Sequence, residues 1–206
     1  SVSLSLAVMA SVPLALVSGL TLTLLNGQFL EELVATFNQA LARLEQDLQQ
    51  EGSGQLAFNS LAVPQVAALL ATGNAVIALL SLMLGRYWQA ALYNPGGFGG
   101  EFRALRLPTG AVVAMALAAG ALWWMGPGWR VWSAAAVLPL TIAGFALVHA
   151  YAARANKGVA WLTLMYVLWI VLDPVKWVWV GCVVVDAFAD FRARWANPTG
   201  KGSGGA

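Results

Sequence analysis

Cysteine and histidine are almost missing from this chain: Cys182 and His149 stand alone. A single thiol excludes an internal disulfide and a multi-cysteine metal site, and any metal centre would have to rest on carboxylates. Charge is scarce too, at 10% of residues where a soluble domain has roughly 25%. The few basic residues are scattered, which excludes the stripe that tracks a nucleic-acid backbone. Also lacking are a His-x-x-Glu-His, a Gly-x-Ser-x-Gly, a paired-aspartate metal motif, a Walker lysine and a Gly-x-Gly-x-x-Gly after a strand. The expectation is a protein that is not an enzyme and uses no cofactor or metal. Nor does a methionine or basic n-region precede the first apolar run, so the chain reads as a piece of a longer protein rather than as one opening with a signal peptide.

What the chain does have is apolar surface. Hydrophobic residues make up 60% of it, more than a soluble fold of this size can bury, since burial reaches only about 70% of unfolded-chain area. They come in runs of about 17 to 25, the length that crosses a hydrocarbon core of about 30 Å. The reading is an all-α, polytopic transmembrane helix bundle forming one domain over residues 1–195. About six membrane segments are expected, at 2–25, 63–84, 111–125, 131–151 and two within 159–188. The last stretch is read as a short hairpin rather than one long helix. Asp173-Pro174 has helix-start chemistry, with Asp accepting from orphan N–H groups and Pro tolerated at the first helical position. Placing Asp173 and Lys176 at a turn in the far interface also avoids two charges at mid-membrane, each costing several kcal/mol.

Lys and Arg in short loops set orientation. Arg86, Arg103 and Arg106 follow segment two, Arg154 and Lys157 follow segment four, and Arg192, Arg194 and Lys201 close the chain. With a hairpin, all of these clusters fall on one side, and the other side holds isolated basic residues: Arg43 in the acidic loop, Arg130 and Lys176. The expectation is therefore a bacterial inner-membrane protein with a cytoplasmic C-terminus. Trp123, Trp124, Trp129 and Trp132 bracket Gly126-Pro127-Gly128 as an outer aromatic belt would. Between segments one and two, Leu30, Leu33, Phe37, Leu41, Leu44 and Leu48 recur at helical spacing. They predict an amphipathic extracytoplasmic helix over 28–50. Its polar face is acidic, unlike helices that lie on anionic lipid, so its apolar stripe is expected to bury against protein. A flexible joint at 51–54 and a flexible tail over 196–206 complete the layout.

The distinctive polar stretch is a Gly-rich cytoplasmic elbow over 85–108, with Gly85-Arg86-Tyr87-Trp88-Gln89, Asn94-Pro95-Gly96-Gly97-Phe98 and Glu101-Phe102-Arg103. Its glycines let backbone N–H groups approach an anion, and Arg86, Arg103 and Arg106 could complete a phosphate or carboxylate site. The same residues also make a plain re-entrant elbow, with arginines holding the inner interface. Asp186 and Asp190 lie one turn apart before Arg192 and Arg194. They read either as ion- or substrate-pairing carboxylates or as an interface ion pair. At least one of them is expected to pair with an elbow arginine. Asn74, mid-segment, lines a polar cavity or makes an interhelical hydrogen bond. His149 reads as an interface residue. Gly110, Ala114 and Ala118, with Ala116 and Gly120 one face over, form small-residue faces for close helix packing, within the chain or against another subunit or copy. Candidate substrate-binding residues are thus Asn74, Arg86, Gln89, Asn94, Arg103, Asp186 and Asp190.

The Gly-Arg-x-x-Gln and Asn-Pro-Gly-Gly-Phe-x-x-Glu-Phe pattern, and Asp186-x-x-x-Asp190-Phe191-Arg192-x-Arg194, resemble the YybS-like predicted membrane proteins (domain of unknown function 2232). The resemblance covers about 1–195 and implies further membrane segments before Ser1. Lys176 departs from it, standing where an apolar residue is expected. The family has no established activity, and its build is similar to the substrate-binding subunits of energy-coupling-factor vitamin transporters, a fold-level analogy. Two functions follow as expectations: a small-molecule-binding transporter subunit, or a non-transporting scaffold or partner subunit of a larger membrane complex. The first needs an enclosed polar pocket. The second needs exposed association surfaces.

Overall fold

A computed structural model describes residues 2–50 and 58–196; the joint at 51–54 and the tail from 197 onward lie outside them. The described residues form helices α1 (Val2–Leu25), α2 (Gly27–Gln50), α3 (Val63–Tyr93), α4 (Gly97–Arg103), α5 (Thr109–Trp124), α6 (Pro127–Arg154), α7 (Val159–Val171), α8 (Asp173–Ala189) and α9 (Phe191–Ala196). Three helices, α1, α3 and α6, are long and apolar enough to cross a membrane. Large apolar side chains stand exposed along them, such as Val17, Leu20 and Ile77. Water would not tolerate such a surface and lipid would. The chain is an all-helical membrane-embedded protein.

Local chemistry explains most helix ends. α3 runs 31 residues because nothing interrupts it before Asn94-Pro95. At its start Gln65 Oε1 accepts from the Ala62 N–H at 2.8 Å, half of a capping box. α6 begins at Pro127, which loses no helical bond at a first position. The turn expected over 126–128 therefore lies at Met125-Gly126, and the φ of 108° at Gly126 favours glycine. Half of α6's most apolar window is buried, against 22% for α1, so α6 is a core helix and α1 a peripheral one.

α7 and α8 break at Leu172, as the Asp-Pro signal predicts, and bend by 114°. Asp173 does not cap, however. No side chain caps α8, and the Asp173 carboxylate instead takes Lys176 Nζ at 2.6 Å. At 1.5 Å per residue the arms are about 20 and 26 Å long, each shorter than a hydrocarbon core of about 30 Å. Beyond the V, the end of α6 meets α9. Arg154 Nη1 donates to the Trp195 carbonyl at 2.5 Å, and Trp195 lies against Tyr151.

The chain divides into two compact units. The first comprises Ser1–Met9, Met83–Leu117 and Val137–Ala206, and the second Ala10–Leu82 and Ala118–Ala136. In the second, Leu30, Val66 and Ala67 form a buried core, flanked by Leu22, Leu33, Val34, Leu70 and Trp132. Gly19 is required there, because a Cβ would collide with the Trp132 indole. Asn38 ties α2 to the run before α3, donating to the Leu61 carbonyl at 3.0 Å and accepting from its N–H at 2.8 Å.

Two packing expectations need correction. α2 is helical where predicted, but its stripe buries only at the start: Leu30 is buried, Leu33 and Leu41 partly so, and Phe37 and Leu44 are 47% and 46% exposed. On α5, Val112 and Ala119 face inward, whereas Gly110, Ala114 and Ala118 are exposed. That small-residue face is not spent on packing among the described residues.

Candidate functional site

The first unit holds six of the seven polar candidates singled out from the sequence, all but Asn74. Its corner is built by the run between α4 and α5 meeting the junction of α8 and α9. α8 ends at Asp190, which adopts a left-handed conformation (φ 47°) and sends its N–H to the Asp186 carbonyl at 3.0 Å. This sharp stop lets both carboxylates turn onto the start of α9. Asp186 Oδ1 accepts from the Phe191 N–H and Asp190 Oδ1 from the Ala193 N–H, each at 3.0 Å. They satisfy donors that a helix start leaves orphaned.

Two arginines complete the corner. Arg106 Nη1 pairs with Asp190 Oδ1 at 2.7 Å, and its Nη2 donates to the Asp186 carbonyl at 3.3 Å. The expected aspartate–elbow pair is thus present, through Arg106. Arg192 reaches the opposite way: Nη1 donates to the carbonyls of Leu105 at 2.6 Å and Arg103 at 3.0 Å. These are carbonyls at the C-terminal end of α4, where a cation is favoured. Arg192 Nε stands 4.0 Å from Asp186 Oδ2, with the two side chains only 14% and 8% exposed, and makes no hydrogen bond. Thr109 Oγ1 donates to the Ala187 carbonyl at 2.9 Å, adding a third tie. Hydrogen bonding to Arg106 holds the Asp190 carboxyl below its usual range, and burial lowers the Arg192 guanidinium from its own.

Comparison with family models, with characterised proteins and with solved structures gives no match.

The remaining candidates do not join the corner as one pocket. Arg86 pairs with Glu101 at 2.5 Å and donates to Gln89 Oε1 at 2.6 Å, so Arg86 and Gln89 are spent on each other and on α4. Asn94 closes α3, its amide lying where a Cβ on Gly97 would collide with it. Asn74 belongs to the second unit and is exposed on α3 rather than enclosed in a pocket. Arg103 makes no hydrogen bond or ion pair through its guanidinium among the described residues. Its Nη1 lies over Gly99, close enough that a Cβ there would sit 3.3 Å away. An open groove of about 630 Å³ lies beside the corner, with Arg106, Asp190 and Thr109 on one wall and Leu6 and Met9 on the other. No three His, Cys, Asp or Glu side chains converge among the described residues.

Sequence reasoning misses one array entirely. Aromatic rings run in continuous contact from Tyr87 through Phe98, Phe102, His149, Tyr166 and Phe145 to Trp179, at centroid spacings of 5.0–6.1 Å. His149 sits in its middle. Its Nδ1 bonds the Phe145 carbonyl at 2.9 Å, which requires the proton there and leaves Nε2 to accept from the Tyr166 hydroxyl at 3.2 Å. Gly144 makes room for the array's end, since a Cβ would strike Trp179. The one signal available is Phe98 and Phe102 at i, i+4, hidden among helix-disfavouring glycines.

Proposed function

We propose that this protein is a multi-pass subunit that works by associating with another membrane protein, rather than by enclosing a substrate. The observation that carries the reading is the exposed face Gly110-x-x-x-Ala114-x-x-x-Ala118 of α5. In lipid, helices associate through small residues that let backbones approach closely, and the apolar effect offers no alternative drive. The exposed stripe on α2, with Phe37 and Leu44, offers a second surface outside the membrane. Three of the polar residues that a substrate pocket would draw on are meanwhile occupied: Arg86 by Glu101, Arg106 by Asp190, Asp186 by the start of α9.

Sidedness belongs to the same proposal. Eight of the eleven Lys and Arg are those of the first unit other than Lys176, and the positive-inside rule assigns the loops and tail that carry them to the cytoplasm of a bacterial inner membrane. The contact between Arg154 and Trp195 supports a C-terminal cluster on the same side as the end of α6, whether the α7–α8 V reaches the far interface as a fifth and sixth segment or turns short of it. α2 then lies outside. Membership of the YybS-like family remains part of this reading, resting on the elbow and the Asp186–Arg194 motif. We assign no catalytic role.

The test is site-directed disulfide cross-linking in native membranes with Cys182 replaced by Ser. A cysteine at Ala114 should capture a partner helix or a second copy, and one at Ala119, on the buried face, should not. Equal capture at both positions, or at neither, overturns the proposal.

A further inference from the structure

In the first unit the carboxylates are fully engaged and the cations are not. Glu101 takes Arg86, Asp190 takes Arg106, and Asp186 faces Arg192. Arg103, Arg154, Lys157 and Arg194 have no acidic partner among the described residues. Two of these four, with Arg192, line one cleft of about 420 Å³. Its other lining residues are Gly100, Ala104, Ala150, Ala153 and Trp195, so no carboxylate enters it. Arg192 has Asp186 beside it, whereas the Arg103 and Arg154 guanidinium groups share the cleft with no acidic partner among the described residues. Their donors are also underused. Arg154 commits Nη1 to the Trp195 carbonyl, Arg192 commits Nη1 to two carbonyls, and Arg103 commits nothing. Planar guanidinium forks with free N–H groups match the oxygens of a phosphate.

We infer that the Arg103–Arg154–Arg192 cleft is a binding site for a phosphate group, either an anionic phospholipid headgroup or a soluble phosphate. Its position favours neither source over the other. The apolar floor and the Trp195 and Tyr151 rings suit a headgroup, and the open arginine donors suit a free ion. The site is separate from the association face and does not depend on it. It also differs from the anion site first read from the elbow, because Arg86 and Arg106 are paired elsewhere and Arg154 and Arg192 take their places.

The experiment uses the full chain with two probes. In neutral detergent, inorganic phosphate is titrated by calorimetry. In parallel, the chain is reconstituted in phosphatidylcholine nanodiscs with or without phosphatidylglycerol, and retained lipid is counted by native mass spectrometry. Arg103→Ala should weaken whichever probe binds by about tenfold, the loss of one charge-assisted interaction. Its guanidinium holds no other polar group, so folding is unaffected. Gly100→Leu keeps every charge but fills the floor, and should weaken binding comparably. Arg194→Ala, outside the cleft, should change little. Phosphate binding in detergent identifies a soluble ligand, and retention of phosphatidylglycerol alone identifies a headgroup. Binding of neither probe, or binding that survives both Arg103→Ala and Gly100→Leu, overturns the inference.

Discussion

The first unit ties its elements with guanidinium–carboxylate pairs and short guanidinium–carbonyl contacts, whereas the second relies on an apolar wedge, the Asn38 clamp and two longer bonds to carbonyls, Gln65 to Pro127 at 3.3 Å and Arg130 to Trp123 at 3.4 Å. Both use the same packing device, a glycine under a tryptophan: Gly144 beneath Trp179 in the first, Gly19 beneath Trp132 in the second. What differs is the layer around it. In the first unit two arginines and two aspartates interlock around the start of α9. In the second, Leu30, Val66 and Ala67 close over α2's first turns, and Asn38 supplies the side-chain ties to the segment before α3. Apolar wedges serve equally well in lipid and at its edge. A paired-charge lock serves where the chain leaves hydrocarbon, since unpaired charge inside it costs several kcal/mol.

That contrast breaks most sharply at Asp186. Asp186→Ala strips the start of α9 and leaves Arg192 buried without its counter-charge, so the first unit should lose about 3 kcal/mol. Thermal unfolding in detergent should show the loss, and limited proteolysis should place it near α9. The interlock is disproved if α9 is as resistant as before. Reversing Arg106 and Asp190 together should restore folded yield that either reversal alone lowers.

The two wedges sharpen the comparison from the other side. Gly144→Val and Gly19→Val should each cost about 1–3 kcal/mol, because an indole must leave its rotamer. Gly120→Val, where a Cβ meets open space, should be nearly silent by the same melting assay. If Gly144→Val is tolerated and Gly19→Val is not, the charged layer rather than the wedge holds the first unit. Next in size is Asn38→Ala, which removes two part-buried hydrogen bonds worth about 1 kcal/mol each. Hydrogen exchange around Leu61 should quicken, with no change near α9.

How far these features are legible in the sequence depends on whether local or distant partners decide them. α2 is readable almost to the residue, because a three-to-four periodicity is local. The break before Asp173 is readable from Asp-Pro, although the carboxylate's true partner, Lys176, is not. The Arg106–Asp190 pair follows from sidedness and the need to neutralise charge. The packing of α2 and α5 does not follow, since periodicity says which face is apolar and not whether anything covers it. α4 escapes notice because Gly97, Gly99 and Gly100 argue against a helix, and the rings of Phe98 and Phe102 override them only through distant partners.

The smallest expected effect concerns pH. Asp190 has a folded pKa below its unfolded value, which for a free aspartate is about 3.9, so the unfolded chain binds the proton first as pH drops. The stabilisation is complete above that range and is lost as pH falls through the folded value. Asp190→Asn should flatten this acid dependence in the first unit. An unchanged acid profile in the variant would assign the sensitivity to another group.

A single residue, Asn26, separates α1 from α2, and the hydrogen bonds continue across it: Asn26 N–H to the Leu22 carbonyl and Leu30 N–H to the Asn26 carbonyl, both at 3.1 Å. Such a joint has almost no slack, because one residue offers only two soft dihedrals. α1 and α2 are therefore mechanically coupled: a load applied to Phe37 or Leu44 passes into α1 unless those two bonds break, and inserting a few glycines after Asn26 would uncouple them.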